Sequence, residues 1–462
     1  MTPDMPPEQP EMIQTSPKAL VHIGYGAFHR AHQAVYIQQL ADQGVADWSI
    51  YAVNLRAADS AQFAIEAQKP GYDVTTFGAD GGQETTRIDR HTAFFDWTLD
   101  RTAAEAALAK PEVTIATITV SEAGYYFDST SALEASHPVI AAEIAGERQE
   151  SIYAYLAAGL AARRAADMGP LTILCCDNLR NNGTILAQNF LSYLKLSGQK
   201  DLAAWVTRHC TFPCSMVDRI TPAPPTRSTA EDALGTPIIG EDFIQWVIED
   251  AFCAERPPLE AVGIQLVKDV HPYEETKIRV LNGGHISISF LGALAGYRKF
   301  DEAMDDAELR EHFNRFERVE VQRAMPQDIP INVPDYIELI EGRFTNKSIG
   351  DAIERICTDG FAKMSIFIRP TLEGCFAAGQ VPAFAIRSIA GWFHYARLVK
   401  LGARDYTYHE PNWNRLEPLL DRGDTSAFLN AGTLFGDLAE RHPEFSHEFE
   451  RQLQYLEQKW PV

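Results

Sequence analysis

Apolar residues along the 462-residue chain fall into two textures. In the first half, short β-branched runs alternate with longer stretches of helical period. "ALVHIGYG" (19–26) ends in Gly-x-Gly and leads into "FHRAHQAVYIQQLADQ", whose apolar positions recur at helical spacing. "DWSIYAVNLR", "VTIATITVS" (113–121) and "LTILCCDN" (171–178) are further strand-like runs. The last two follow the alanine-rich helical stretches "TAAEAALAK" and "SIYAYLAAGLAARRAAD". Strand alternating with helix predicts βαβ units and a mostly parallel sheet. "YDVTTFG" and "RIDRHTAFFDW" read as an antiparallel insertion, "PAPPTRSTAEDALGTP" (222–237) as a loop, and "LEAVGIQLVKDV" as a strand. From about residue 273 helical periods dominate, over 273–296, 302–324 and 348–366, then in "FAIRSIAGWFHYARLVKLG" and the tail "FSHEFERQLQYLEQKW".

The expected architecture is therefore an α/β Rossmann-like N-terminal domain with a mostly parallel sheet (18–260, with insertions), followed by a mostly α-helical C-terminal domain (261–462). Residues 1–17, rich in proline and acids and without an apolar core segment, read as a mobile tail rather than a secretory signal. The balance of 63 acidic against 41 basic residues, a formal charge of −22, disfavours nucleic acid and anionic lipid as partners. Apolar runs are too short to span a bilayer. Seven scattered cysteines fit free thiols in a reducing cytoplasm, and "HCTFPC" (209–214) has no second pair to complete a zinc site.

Three stretches carry candidate chemistry. In "VHIGYGAFHRAH", Gly24 permits a tight turn and Gly26 lets backbone approach a pyrophosphate at a helix start. His29 stands where a third glycine is usual, and Arg30 could meet a phosphate. At the end of the second strand Asn54 takes the place of the customary acid, with Arg56 and Asp59 beyond, so NAD and NADP both stay open. In "PYEETKIRVLNGGH", a 100° helical wheel with Lys277 at zero puts Glu274 near about 60°, His285 near about 80° and Asn282 near about 140°, beside Leu281 and Ile288. Polar groups on a face that is also apolar suggest an enclosed site. There a desolvated lysine can act as a base and an asparagine amide can hold an oxyanion. The plainer reading is a surface helix with Lys277 paired to Glu274 or Glu275. Asn178, in "CDNLRNNG", ends a parallel strand where ligands bind, or else caps a turn. Asp218 and Arg219 follow another strand-like run and could be a surface pair. Arg355 and Lys363 share one helix side, or a solvated face.

Taken together, "HIGYGAFHRAH", "TVSEAGYY" (119–126), "CDNLRNNG", "MVDRITP", "PYEETKIRVLNGGH" and "RFTNKSIGDAIERICTDGFAK" resemble the long-chain, metal-independent mannitol dehydrogenase family of polyol dehydrogenases, in order from about residue 20 to 375. The resemblance implies oxidation of a secondary alcohol in a sugar alcohol of the arabinitol or mannitol type. Lys277 would be the general base, Asn178 and Asn282 the oxyanion donors, His285 a substrate-orienting group and Glu274 a proton relay. Asp218, Arg355 and Lys363 would contact the polyol. NAD, with NADP as the other candidate, would meet Gly24, Gly26, Ala27, Phe28, Arg30, Asn54 and Glu122, and no metal would be required. The implied partners are a polyol and its ketose, without nucleic acid or membrane, in a cytoplasmic monomer or dimer. Two alternatives compete. One is reduction of a keto-hexonate, which wants extra cations in the pocket. The other is a non-catalytic dinucleotide sensor, which has no need of a base.

Overall fold

The computed structural model describes residues 18–69, 71–128, 130–222, 237–326, 329–403 and 408–461. The expected tail (1–17) and nearly all of the expected loop at 222–237 lie outside the described residues. In chain order the strands are β1 (Lys18–Ile23), β2 (Trp48–Asn54), β3 (Tyr72–Phe77), β4 (Gln83–Ile88), β5 (His91–Asp96), β6 (Val113–Ile118), β7 (Leu171–Cys175), β8 (Cys210–Thr211), β9 (Ser215–Asp218), β10 (Ile238–Glu241), β11 (Gln245–Glu249) and β12 (Gln265–Val267).

The main sheet runs β5-β2-β1-β6-β7-β8 with every neighbouring pair parallel. Strand order reverses between β1 and β6, which opens a crevice above their carboxyl ends. Both faces are covered. Ala19, Val21 and Ile23 pack with the helix Ile152–Ala165 on one side, while Leu20 and Ile50 pack with the helix Gln33–Asp42 on the other. Two-sided burial is why β7 reads as an almost wholly apolar run, all five of its residues being buried.

The expected antiparallel insertion splits in two. "YDVTTFG" does form a hairpin, β3 with β4, and β10 adds to β3 in parallel. "HTAFFD", however, is β5, a parallel edge strand of the main sheet paired with β2. Within "LEAVGIQLVKDV" only Gln265–Val267 is strand, because Leu259–Val262 is a 3₁₀ turn.

The second half is helical around a core built on Phe313, Phe316, Trp392, Phe393 and Phe428. Asp306 divides the expected 302–324 helix, its side chain accepting from the N–H groups of Glu308 and Leu309 to start a new one. The helix Val333–Phe344 is not among those picked out by periodicity. Asn332 is its N-cap and Pro334 lies in its first turn, while Val333, Ile337, Ile340 and Phe344 face the core. No helix among the described residues is long and apolar enough to cross a membrane.

Candidate active site

Lys277 lies on a long helical run, His271–Ala295, whose middle segment Lys277–Asn282 winds as a π-helix between α-helical flanks. Such widened turns recur at functional sites. The wider winding brings Asn282, five positions on, closer to the azimuth of Lys277 than a 100° wheel allows. Two more π segments, Phe316–Val321 and Met364–Ile368, pack against this one.

The lysine is 7% exposed, which ends the surface reading. Its Nζ donates to Asn178 Oδ1 at 2.5 Å and to the Val217 carbonyl at 2.8 Å. Burial pushes its pKa below the ordinary lysine value, with Asp218 pulling the other way. Asn178 arrives just beyond β7. The asparagines beside it have other tasks. Asn181 takes a left-handed backbone, φ 51°, and its N–H meets the Glu274 carboxylate at 3.1 and 3.2 Å. Asn182 is buried and donates to the carbonyls of Cys175 and Ser215, tying β7 to β9. Burial raises the Glu274 pKa. The His285 ring stacks on Phe344 at 4.1 Å and meets the edge of Phe300 at 4.6 Å. Desolvation there lowers its pKa to about 3, so the imidazole is neutral at physiological pH.

These groups open on one cleft of about 1560 Å³. Asn178, Glu274, Lys277, Asn282, His285, Glu122, Arg355 and Lys363 all line it. Arg355 is held by Asp351 through Nε at 2.8 Å, and Lys363 donates to the Ile356 carbonyl at 2.7 Å. Asp218 is different. Only 3% exposed, it lies behind the cleft wall with both oxygens taken by Arg343, at 2.7 and 2.9 Å. Its expected contact with a polyol is corrected to an ion pair with an arginine that sequence reasoning passed over.

The glycine turn sits at the β1–β6 crevice. Gly24 has φ +98°, and a Cβ there would stand 1.9 Å from the Thr119 carbonyl oxygen. A Cβ on Gly26 would meet nothing within 4 Å, so room for a ligand lies on that side. Ala27 and Phe28 open the short helix Ala27–Ala31, where the first N–H groups have no intrahelical partner. Glu122 follows β6 across the crevice. This arrangement fits a dinucleotide. Two of the expected contacts need correction. Arg30 is 3% exposed, paired with Glu66 at 3.2 Å and stacked over Tyr72, so it does not face a phosphate. Asn54 closes the end of β2 instead of facing a ribose, accepting from the Arg56 N–H at 3.1 Å and donating to Asp96 at 3.1 Å. His29, at the third-glycine position, is a core residue stacked on His22. His22 in turn bonds the Gly24 carbonyl at 2.9 Å and Thr119 Oγ1 at 3.0 Å, bracing the turn. No group of three or more His, Cys, Asp or Glu side chains among the described residues is placed to hold a metal ion.

Comparison with known proteins agrees in both halves of the chain. Residues 18–261 match the mannitol dehydrogenase Rossmann domain and residues 269–457 the mannitol dehydrogenase C-terminal domain. A D-arabinitol 4-dehydrogenase of Ralstonia nicotianae is 36% identical over 91% of this chain and 93% of its own length. A mannitol 2-dehydrogenase of Pyrenophora tritici-repentis is 34% identical over 96% of this chain and 80% of its own. The solved ternary complex of Pseudomonas fluorescens mannitol 2-dehydrogenase with NAD and D-mannitol superimposes with a TM-score of 0.82 at 32% identity, covering 96% of this chain and 92% of the other. With a parallel sheet reversing beside a glycine turn, a buried lysine at the cleft and matches that together span nearly the whole chain, this protein belongs to the mannitol dehydrogenase family.

Proposed function

We propose that the protein is an NAD-dependent polyol dehydrogenase, oxidising a secondary alcohol of a sugar alcohol of the arabinitol or mannitol type to the ketose. The observation that carries this reading is the buried Lys277, bonded to Asn178 at one wall of the cleft. An amine kept from the ammonium form by burial takes the alcohol proton near neutral pH. Asn178 and Asn282 supply amide N–H groups for the oxygen as it gains negative charge. Neutral His285, braced between two phenylalanines, orients a substrate hydroxyl. Arg355 and Lys363, further along the cleft, meet the rest of the polyol. Glu274 is buried, while His271, 3.9 Å from its carboxylate, is largely exposed. That pair supports a path for the proton from Lys277 to water. Nicotinamide, when bound, supplies the hydride acceptor. Gly24, Gly26, Ala27, Phe28 and Glu122 would hold it at the β1–β6 crevice.

Keto-hexonate reduction is the weaker match. Arg180 and Arg279 share the one carboxylate of Glu275, while Arg355 pairs with Asp351 and Arg369 with Glu373, so four guanidinium groups of the cleft already have carboxylate partners. A neutral polyol suits such a cleft better than a carboxylate.

A panel of pentitols, hexitols and keto-hexonates, run with NAD and NADP and followed at about 340 nm, tests the reading. Polyols with NAD are expected to give the higher kcat/KM. A higher value for NADP, or for keto-hexonates, overturns the corresponding part. Activity is also expected to survive exhaustive chelation, because a lysine and two amides do the work of a Lewis acid. A loss on EDTA dialysis that zinc restores would refute this. Asn282→Ala is expected to lower kcat by roughly 10²–10³-fold, the scale for one oxyanion donor. A folded Asn282→Ala protein with unchanged kcat removes that residue from the site.

A further inference from the structure

Directly behind the cleft wall lies a buried charge cluster to which the reaction assigns no part. Arg343, on the helix Val333–Phe344, forks between two carboxylates from the other half of the chain. It donates to Asp218 at 2.7 and 2.9 Å, and to Glu241 at 2.9 and 2.6 Å. All three side chains are 4% exposed or less. Burying an arginine and two acids is costly unless every group is satisfied, and a cluster of this kind is retained for more than stability in some proteins. Its position suggests the use. Asp218 is the next residue after Val217, whose carbonyl accepts from Lys277 at 2.8 Å, and its carboxylate acts on that amine more strongly than any other charge around it, so a free Asp218 would compete for the ammonium.

We propose that Arg343 is a positioning residue for the reaction: by occupying both oxygens of Asp218 it keeps that carboxylate from pairing with Lys277, leaving the amine directed at Asn178 and free to take a proton. This rests on the reading of Lys277 as the base. Other charged or titratable groups face the pair as well. Glu274 and Glu122 act on Lys277 from the cleft side, His32 lies near both Lys277 and Asp218, and Tyr336 faces Asp218 and Glu241. Arg219 adjoins Glu241. None of them forks Asp218 as Arg343 does. An arginine suits the place because its planar fork serves two carboxylates at once and it stays charged.

The test is the pH profile of kcat for polyol oxidation in Arg343→Gln, Arg343→Lys and Asp218→Asn, beside wild type and Lys277→Ala. Removing the arginine's charge leaves two acids to favour the ammonium. The acid limb of Arg343→Gln should therefore move up by about one pH unit or more. Asp218→Asn removes the competitor and leaves the cation, so its limb should move down by a similar amount. Arg343→Lys keeps the charge and should hold the limb near its wild-type position at a reduced rate. A cluster that only braces the fold would lower rates without moving the limb in opposite directions. If Arg343→Gln does not fold, the direction in Asp218→Asn decides, and an unmoved limb there overturns the proposal. A limb that disappears in Lys277→Ala but stands still in both charge variants refutes the role of Arg343 alone. A limb that persists in Lys277→Ala refutes the lysine base, and this inference with it.

Discussion

Replacing Lys277 with alanine is expected to lower polyol oxidation by roughly 10²–10⁴-fold, the usual contribution of a positioned proton-transfer group. The expectation rests on place and environment together. The amine is 7% exposed, bonded to Asn178, and driven by burial toward its neutral form. Oxidation requires the free amine, so the wild-type rate should rise with pH as Lys277 loses its proton. Because burial lowers its pKa, that rise should come below the pH expected of an ordinary lysine. In Lys277→Ala the rise should vanish, and a small primary amine should restore part of the rate by entering the space left behind. NAD affinity, measured by fluorescence titration, should barely change, since the glycine turn belongs to another part of the chain. A folded Lys277→Ala protein that oxidises polyol near the wild-type rate removes the proposed mechanism.

Gly24→Ala is expected to have an effect of comparable size by a different route. At φ +98° an alanine carries a backbone strain of roughly 1–3 kcal/mol. Its Cβ would also stand 1.9 Å from the Thr119 carbonyl, a backbone atom just past the end of β6 whose residue is tied to β1 by the Thr119 N–H donating to the Ile23 carbonyl at 2.9 Å. The turn must then move, so both the melting temperature and NAD binding should fall. Gly26→Ala provides the contrast. A Cβ there meets nothing within 4 Å, so the fold should keep its stability while nucleotide affinity drops. Equal melting temperatures for Gly24→Ala and wild type would show that the turn relaxes in a way this geometry does not allow. An unchanged NAD affinity in Gly26→Ala would place the pyrophosphate elsewhere.

The two corrections at the nucleotide side share one cause. Arg30 and Asn54 stand at the right distances along the chain from the glycine turn and the second strand, and spacing is what a motif records. Spacing does not say where a side chain points. Glu66 and Tyr72, 36 and 42 residues on, claim Arg30 for the interior, and Asp96 on the neighbouring strand claims Asn54. Asp218 follows the same rule at longer range, since its partner Arg343 is 125 residues away on a helix that the apolar period did not reveal.

What could be read from the chain was whatever local physics repeats. Short β-branched runs alternating with helical periods forecast a parallel sheet with helices on both faces, because each element must bury its apolar side nearby. The polar residues of "KIRVLNGGH" stood out because they share one side of the helix with the apolar Leu281 and Ile288, which pointed to an enclosed site. Three things depended on contacts between distant segments. The assignment of "HTAFFD" to the main sheet turned on which strand edge was free. The π-winding of Lys277–Asn282 arises where three such segments pack together. The charge cluster behind the lysine joins β9, β10 and a helix of the other half, and the attraction among its members has no periodicity in sequence. Burial sets the lysine's proton affinity, and burial is a property of the whole packed chain rather than of any stretch of it.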